Sequence, residues 1–546
     1  MTHTTLAGQP SLDATKVLWD VLVVGTGMGG GTLGHALAVA GHRVLFVEKG
    51  IVDTTLAAGT LATYPDAAPD FTRLSRAEQD AAMLSGGRSI DDVDDMSTGR
   101  RKRRNPLLGS GGGGSSALYG MAAERLFAAD FTPRAQYGDI GSATLPDAWP
   151  VSYDEMVPYY EAAERLYAVR GAPDPLRPGD GSQSLLAPAA MTDTNRALFD
   201  YFVQQRLHPY AQHSACARLP DCATCQGVRC PRACKRDAMN TCVAPAVAQH
   251  GAHVLDRTAV VRLEAGRTRV ESVHCERDGV ALALRARYIV LAAGALFTPA
   301  ILIASAGAHW ARGLANGSDQ VGRNLMRHAT LLFLLRRGPR VEAHDNAKQL
   351  SLNDFYLPGR ATADKLGTLQ SLGPLPPAGV VINHVPRLLR ALASPMLRRL
   401  WTRRIDRSPV LSAIMEDLPH ANNRVTPGTP FTSGGRQRIR LHYKLHVHDA
   451  RRAERFRRLV VELLAPFAPR AISLAHQNIA LAHACGTCRF GHDPATSVLD
   501  AFNRAHELDN LYVADASYFP SSGGINPALT VAANALREAA HLRGRL

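Results

Sequence analysis

His483 stands beside a Gly-Thr-Cys turn, Gly486 to Cys488, near the C-terminal end of a 546-residue chain. A neutral imidazole can take a proton from a substrate near neutral pH. Taken alone, such a histidine reads as a structural one. Asn526 follows Gly523-Gly524-Ile525 and precedes Pro527. Its amide is no base, but it can hydrogen-bond a substrate oxygen and orient it. The plain alternative is that Asn526 caps the helix that Pro527 opens. Cys216, Cys222, Cys225, Cys230, Cys234 and Cys242 hold most of the chain's 9 cysteines in one short stretch. Such clustering, with no export signal in view, points to metal or redox chemistry before disulfides. Only Cys222 and Cys225 make a C-x2-C pair there, where a zinc ribbon wants two. Cys485 and Cys488 form another C-x2-C beside His483.

These residues need elements to position them. Asp20 to Val24 is a short apolar run that suits a buried parallel strand. Gly25, Gly27 and Gly30 then give G-x-G-x-x-G, with glycines for the tight turn, the approach of a pyrophosphate and close helix–strand packing. Leu33, Ala36, Leu37 and Ala40 form the helix stripe, and Gly41 its stop. A second strand ends at Glu48, 18 residues after Gly30, near the offset of an acid that binds ribose hydroxyls and repels a 2′-phosphate. The unit predicts dinucleotide binding and disfavours NADP. Tyr288 to Ala311 carries no acidic or basic side chain other than His309, but Gly294 and Pro299 break it into a buried strand, a turn and a helix instead of a membrane span. Leu511 to Asp515 reads as a strand, and Ala528 to Leu542 as a helix whose positive end faces whatever lies before Gly523.

Further segments carry a family likeness. Gly109 to Met121 reads GSGGGGSSALYGM, Gly294 to Gly307 reads GALFTPAILIASAG, and Val321 to His328 reads VGRNLMRH. With the N-terminal GTGMGG and the C-terminal HACGTC and GGINP, the chain resembles the glucose-methanol-choline (GMC) family of flavin-dependent alcohol oxidoreductases, in particular its bacterial alcohol and sugar dehydrogenases. The resemblance implies FAD as cofactor and an α/β fold. A discontinuous Rossmann-type FAD-binding domain (14–150, 235–328 and 483–546) would be joined to an α+β substrate domain with an antiparallel sheet (151–234 and 329–482). It implies oxidation of CH–OH to a carbonyl, with His483 as base and Asn526 orienting the oxygen. It places Gly25, Gly27, Gly30, Glu48, Gly113, Gly114, Ser115, Ser116, Val260, Asp515 and Pro527 against the cofactor. Tyr119 stands where relatives often carry asparagine, and Ala306 where serine is common. The spacing Cys225-x4-Cys230-x3-Cys234 is similar to the iron–sulfur segment of bacterial GMC sugar dehydrogenases. Structural disulfides, zinc or inert thiols stay open for the cluster. Rival activities within the resemblance are an oxygen-using oxidase, a non-redox lyase and a non-catalytic flavoprotein.

Composition limits the partners. At 46% hydrophobic and 20% charged the chain is globular, and its length suggests two domains. The net charge of +14 favours anionic partners, but no nucleic-acid motif accompanies it. The first twenty residues show no signal peptide. That predicts a cytoplasmic or peripheral membrane protein and leaves export with a partner subunit open. Residues 386–409 hold seven arginines around Leu397, Leu400 and Trp401, a pattern that suits an anionic membrane surface, a partner subunit or a solvated helix. The expected partners are a small-molecule alcohol and an electron-acceptor protein or quinone. Arg100 to Arg104 reads as a basic loop facing cofactor phosphates or solvent. Lys348 to Tyr356 is placed near the pocket.

Overall fold

The computed structural model describes residues 13–53, 63–68, 70–177, 182–219, 222, 224–337, 347–359, 361–377, 380, 408–433, 436–473 and 481–546. The first elements are the expected strand, turn, helix and strand: Leu18–Val24, Met28–Val39 and Val44–Val47. The two strands run parallel, Val21 opposite Val44 through Val24 opposite Val47. The turn glycines are steric requirements. Gly25 has φ +101°, and a Cβ on it would lie 2.5 Å from the Ala292 carbonyl oxygen. A Cβ on Gly29 would lie 1.5 Å from the Ala514 oxygen. The helix therefore sits hard against the strand ends, with Leu33 and Leu37 buried beneath it.

The parallel core of the first sheet has the order His253–Leu255, Val44–Val47, Leu18–Val24, Val280–Leu291 and Leu511–Val513. The long strand Val280–Leu291 also starts an antiparallel meander with Val270–Arg277 and Thr258–Ala265. The uncharged run is the end of that strand, a turn at Gly294 and a helix at Thr298–Ala304. Among the described residues no helix is long and apolar enough to cross a membrane. The C-terminal helix, Ala528–Arg543, packs on both the Met28–Val39 and the Tyr153–Leu166 helices.

The second sheet is antiparallel throughout, in the order Pro469–Ser473, Ala329–Leu335, Val410–Met415, Gly367–Leu372, Leu350–Leu352 and Tyr210–Ala211. Its residues alternate between two faces. Leu331, Phe333, Leu369, Leu411, Ala413 and Met415 pack with Leu198, Phe202, Phe456 and Val460 of the helices Asp193–Gln204 and Val447–Leu463. The other face carries Thr368 and Gln370, with Ser412 registered opposite Gln370. The architecture is the expected α/β fold, a Rossmann-type parallel sheet joined to an antiparallel one.

A third sheet corrects one expectation. Residues Lys102–Arg104 form a strand paired with the acidic strand Asp92–Asp95, and not a loop. Arg101 lies 2.9 Å and Arg103 3.5 Å from Asp94, while Arg104 lies 3.2 Å from Asp95. Three of the five basic residues of the run are thus ion-paired within the chain. The arginine-rich segment 386–409 falls almost wholly outside the described residues.

Candidate active site

Backbone register brings two histidines together. Met326 and Cys485 form an antiparallel pair, Met326 N donating to the Cys485 oxygen at 3.0 Å and Cys485 N to the Met326 oxygen at 2.9 Å. Two residues further along each strand, in opposite directions, His328 therefore faces His483. Their Nδ1 atoms are 2.9 Å apart and the rings meet edge to face. His328 Nε2 lies 3.1 Å from the Ser522 carbonyl oxygen, which can only accept. The bonding pattern thus assigns the tautomers: His328 is protonated at Nε2, its Nδ1 accepts, and His483 donates from Nδ1. His483 then presents a bare Nε2 lone pair, the form a general base requires. Burial lowers the pKa of both rings. That of His483 is lowered well below the usual histidine range, with further contributions from His328 and Lys348. Both rings are neutral at pH 7.

Asn526 is held by an amide relay. Gln212 Nε2 donates to Gln370 Oε1, and Gln370 Nε2 donates to Asn526 Oδ1 at 3.0 Å. That fixes the amide with Nδ2 free, and Nδ2 has no partner among the described residues. The helix after it starts at Ala528 with Pro527 as its N-cap residue and no side-chain cap, so the capping reading of Asn526 is excluded. The loop that carries Asn526 is pinned from below. Gly523 N donates to Glu416 Oε1 at 3.1 Å, and Gly524 N to the Tyr356 hydroxyl at 2.8 Å. Tyr356 donates in turn to Asp130 at 2.7 Å, while Lys365 Nζ bridges Asp130 at 2.5 Å and Glu416 at 2.6 Å. Removing Lys365 would leave the Asp130 and Glu416 carboxylates buried without the cation they share.

On the other side lie the glycine-rich segments. The Met28–Val39 helix begins at Gly27 with no side-chain cap, although Gly29, Gly30 and Gly31 are buried. Its first amides are donors left for an anion. A Cβ on Gly114 would lie 3.1 Å from the Gly27 Cα, so the two glycine turns abut. Gly113 and Gly114 take φ +84° and +51°, values that favour glycine. Ser115 is exposed and Ser116 is turned inward, donating to the Gly113 oxygen at 2.6 Å and accepting from Ala238 N at 3.0 Å. Glu48 accepts from Thr26 N and Oγ1, Gly50 N and Gly111 N, at 2.8 to 3.1 Å. Its carboxylate ties the three loops together. Asp515 accepts from Gly294 N at 2.8 Å, from Thr298 Oγ1 at 2.6 Å and from Ser517. Val260 lies in the meander, its carbonyl accepting from Gln437 Nε2 at 3.0 Å.

The GMC oxidoreductase profile matches residues 28–330, more than half the chain, and a second GMC oxidoreductase profile matches residues 419–535. The chain belongs to the GMC oxidoreductase family. It is similar over 97% of its length, at 29% identity, to paromamine 6'-oxidase of Streptomyces fradiae, 92% of which is covered. It is 25% identical to 2-methyl-1,2-propanediol dehydrogenase of Mycolicibacterium austroafricanum over 96% of this chain and 95% of that one. The fold matches a formate oxidase variant of Aspergillus oryzae RIB40 studied for its FAD modification, with TM-score 0.63, 17% identity, and 97% and 99% of the two chains covered. As a GMC oxidoreductase the protein is a flavoprotein oxidoreductase.

Within this GMC oxidoreductase, two partners of the site were not assigned roles by the sequence. His328 closes the quoted segment VGRNLMRH, so a signal was present, but its pairing with His483 depends on a contact 155 residues apart. Gln370 lies in a strand with no motif. The cysteines gather as pairs. Cys216 and Cys222 sulfurs are 3.9 Å apart, and Cys225 with Cys230, and Cys234 with Cys222, are close enough to shift each other's thiol pKa. The Cys225 thiol and the amides of Lys235, Arg232 and Cys234 lower the Cys230 pKa, although burial opposes them. The group packs on Tyr119 and Met121, the end of the GSGGGGSSALYGM stretch. Cys242 stands apart against Tyr167 at 3.3 Å. Among the described residues no group of three or more His, Cys, Asp or Glu is arranged to hold a single metal ion. Cys485 and Cys488 are buried free thiols whose pKa values burial raises, which marks them as unreactive.

Proposed function

We propose that this chain binds FAD and oxidises an alcohol CH–OH to a carbonyl. The observation that carries the proposal is the relay from the Ser522 carbonyl through His328 to His483, which leaves His483 Nε2 as an acceptor. FAD, when bound, supplies the hydride acceptor. His483 Nε2 takes the hydroxyl proton, and Asn526 Nδ2 donates to the same oxygen, fixing the C–H direction and steadying the charge that develops as the proton leaves. The uncapped helix at Gly27 would take the pyrophosphate. Gly25, Gly30, Gly113, Gly114 and Ser115 would line the rest, with Val260, Asp515 and Pro527 in the surrounding wall. Glu48 and Ser116 would hold the loops in shape, with Glu48 reaching ribose only by giving up one of its present bonds. This reading divides the chain into the FAD-binding parts 14–150, 235–328 and 483–546 and the substrate parts 151–234 and 329–482.

Electrons leave, in this proposal, to a carrier other than oxygen, a partner protein or a quinone, with contact at a membrane surface. Cys225, Cys230 and Cys234 offer thiolates and backbone amides of the kind that hold iron–sulfur clusters, and such a cluster, when bound, supplies one-electron transfer. The name of the Streptomyces fradiae relative favours a second reading, in which oxygen is the acceptor. One experiment tests all of this. The purified protein should show a flavin spectrum that bleaches when an alcohol is added without oxygen. Recovery with a dye or quinone, and not with oxygen, supports the carrier. Iron and acid-labile sulfide in the same sample support the cluster, and their absence removes it. No bleaching with any alcohol from a broad panel, in flavin-loaded protein, refutes the oxidation.

A further inference from the structure

Three lysines of this chain are deeply buried, and two of them are fully partnered. Lys235 Nζ donates to the Ala117 and Val228 oxygens, both at 2.8 Å. Lys365 bridges Asp130 and Glu416. Lys348 is the exception. Its side chain is 94% buried, 6% of it remaining exposed, and its Nζ has no acceptor among the described residues. Its one contribution to hydrogen bonding is its carbonyl, which accepts from Arg218 at 3.3 Å. The carboxylate that attracts it, Glu124, is already engaged with His213, whose N lies at 3.1 Å from one oxygen and whose Nδ1 lies at 3.1 Å from the other. The residue is buried but its Nζ is not among the fully enclosed atoms, so the ammonium looks out of a largely desolvated wall into space that an anionic group from outside can enter.

The position of Lys348 says which group that is. A Cβ on Gly120 would lie 3.5 Å from Lys348 Cδ, so the side chain runs along the end of the GSGGGGSSALYGM stretch. Two residues later the chain enters the strand Leu350–Leu352, where Ser351 is registered opposite Gln370, the residue that holds Asn526. Lys348 therefore lies between the glycine-serine stretch and the strand next to the one that carries Gln370, on the substrate side of the proposed catalytic pair. We propose that Lys348 is a substrate-binding residue whose ammonium receives an anionic group, a carboxylate or a phosphate, carried by the alcohol at His483. A polyamine would meet like charge at the same place.

This inference rests on the reading of the site as one for alcohol oxidation, and its test is independent of turnover. The probes are 4-methylbenzoate and 4-methylbenzylamine, which share a ring and lack a hydroxyl, titrated calorimetrically into the flavin-loaded protein. The wild type should bind the carboxylate at least about tenfold more tightly than the amine, a modest demand on a partly desolvated charge pair. Lys348→Met should bring the two within about twofold, Lys348→Arg should retain the preference, and so should His483→Ala. Lys348→Gln serves as a second uncharged variant if the methionine form does not fold. A wild type that binds the carboxylate no better than the amine, absence of binding included, overturns the inference. So does a preference that survives both uncharged variants. If alcohols fail to bleach the flavin while the carboxylate preference holds and depends on Lys348, the oxidation reading falls and the anion site stands.

Discussion

The two sides of the site treat their polar groups in opposite ways. On the glycine-rich side the two carboxylates that the sequence singles out are spent inside the protein. Glu48 accepts four bonds from Thr26, Gly50 and Gly111, and Asp515 is bound by Gly294, Thr298 and Ser517. On the substrate side three relays or side chains end in atoms with no partner among the described residues: His483 Nε2, Asn526 Nδ2 and Lys348 Nζ. None of the three is among the fully enclosed atoms, so each faces space that a ligand can enter and complete. The first side is scaffold whose shape matters. The second is chemistry whose exposed atoms matter. Substitutions should separate the two.

The largest effect belongs to His483. His483→Ala removes the proton acceptor and should lower the rate of flavin reduction by about 10²–10⁴-fold, the range for a lost general base, while bound flavin stays stoichiometric. Stopped-flow reduction under anaerobic conditions reads the rate, and the visible spectrum reads the flavin. Glu48→Gln should do the reverse, weakening cofactor retention with little change in the rate of the molecules that remain loaded. Loss of flavin in the histidine variant, or unchanged reduction, would erase the contrast.

Asn526→Ala comes next. One donor to a charge-bearing oxygen is worth about 10²–10³-fold in rate. Gln370→Leu gives a graded version of the same loss. It leaves the asparagine in place and removes the bond that fixes its amide, so a single net hydrogen bond, about 1 kcal/mol or roughly fivefold, is at stake. The two measurements sharpen the comparison, because a positioning role predicts a small fall for Gln370 that vanishes in the Asn526→Ala background.

How far the sequence reached follows the same division. The glycine turns, the parallel strands and the Gly294 break were legible, because each is local: a turn needing positive φ, a strand of β-branched residues and a helix opener lie side by side in the chain. Gly25 at φ +101° is such a case. The partners of the proposed catalytic pair were not legible. His328 and Gln370 act through contacts across strands, and no local pattern encodes the register of Met326 with Cys485 or of Ser351 with Gln370. Glu48 shows a subtler gap. Its offset from the glycines predicted ribose binding, but the same carboxylate at the same place also closes three loops, and spacing does not distinguish the two uses.

The smallest effect is a displacement along the pH axis, and it links the two sides of the comparison most directly. His483 is held below the usual histidine range by burial first, then by His328 and Lys348. The acidic limb of kcat/KM reports the free enzyme's base, so activity should persist to pH values well under the unperturbed histidine value of about 6.5. The sign for a substitution follows from the charge. Lys348→Met removes a positive neighbour, makes the imidazolium less unfavourable, raises the His483 pKa and moves the acidic limb upward. Glu48→Gln, on the scaffold side, is absent from the groups that act on His483 and should leave the limb in place. A pH profile with a substrate that carries no charge isolates this from the substrate's own attraction to Lys348. A limb that moves downward in Lys348→Met would mean that the ammonium does not face the histidine, and a limb that moves in Glu48→Gln would mean that scaffold and chemistry are not separate.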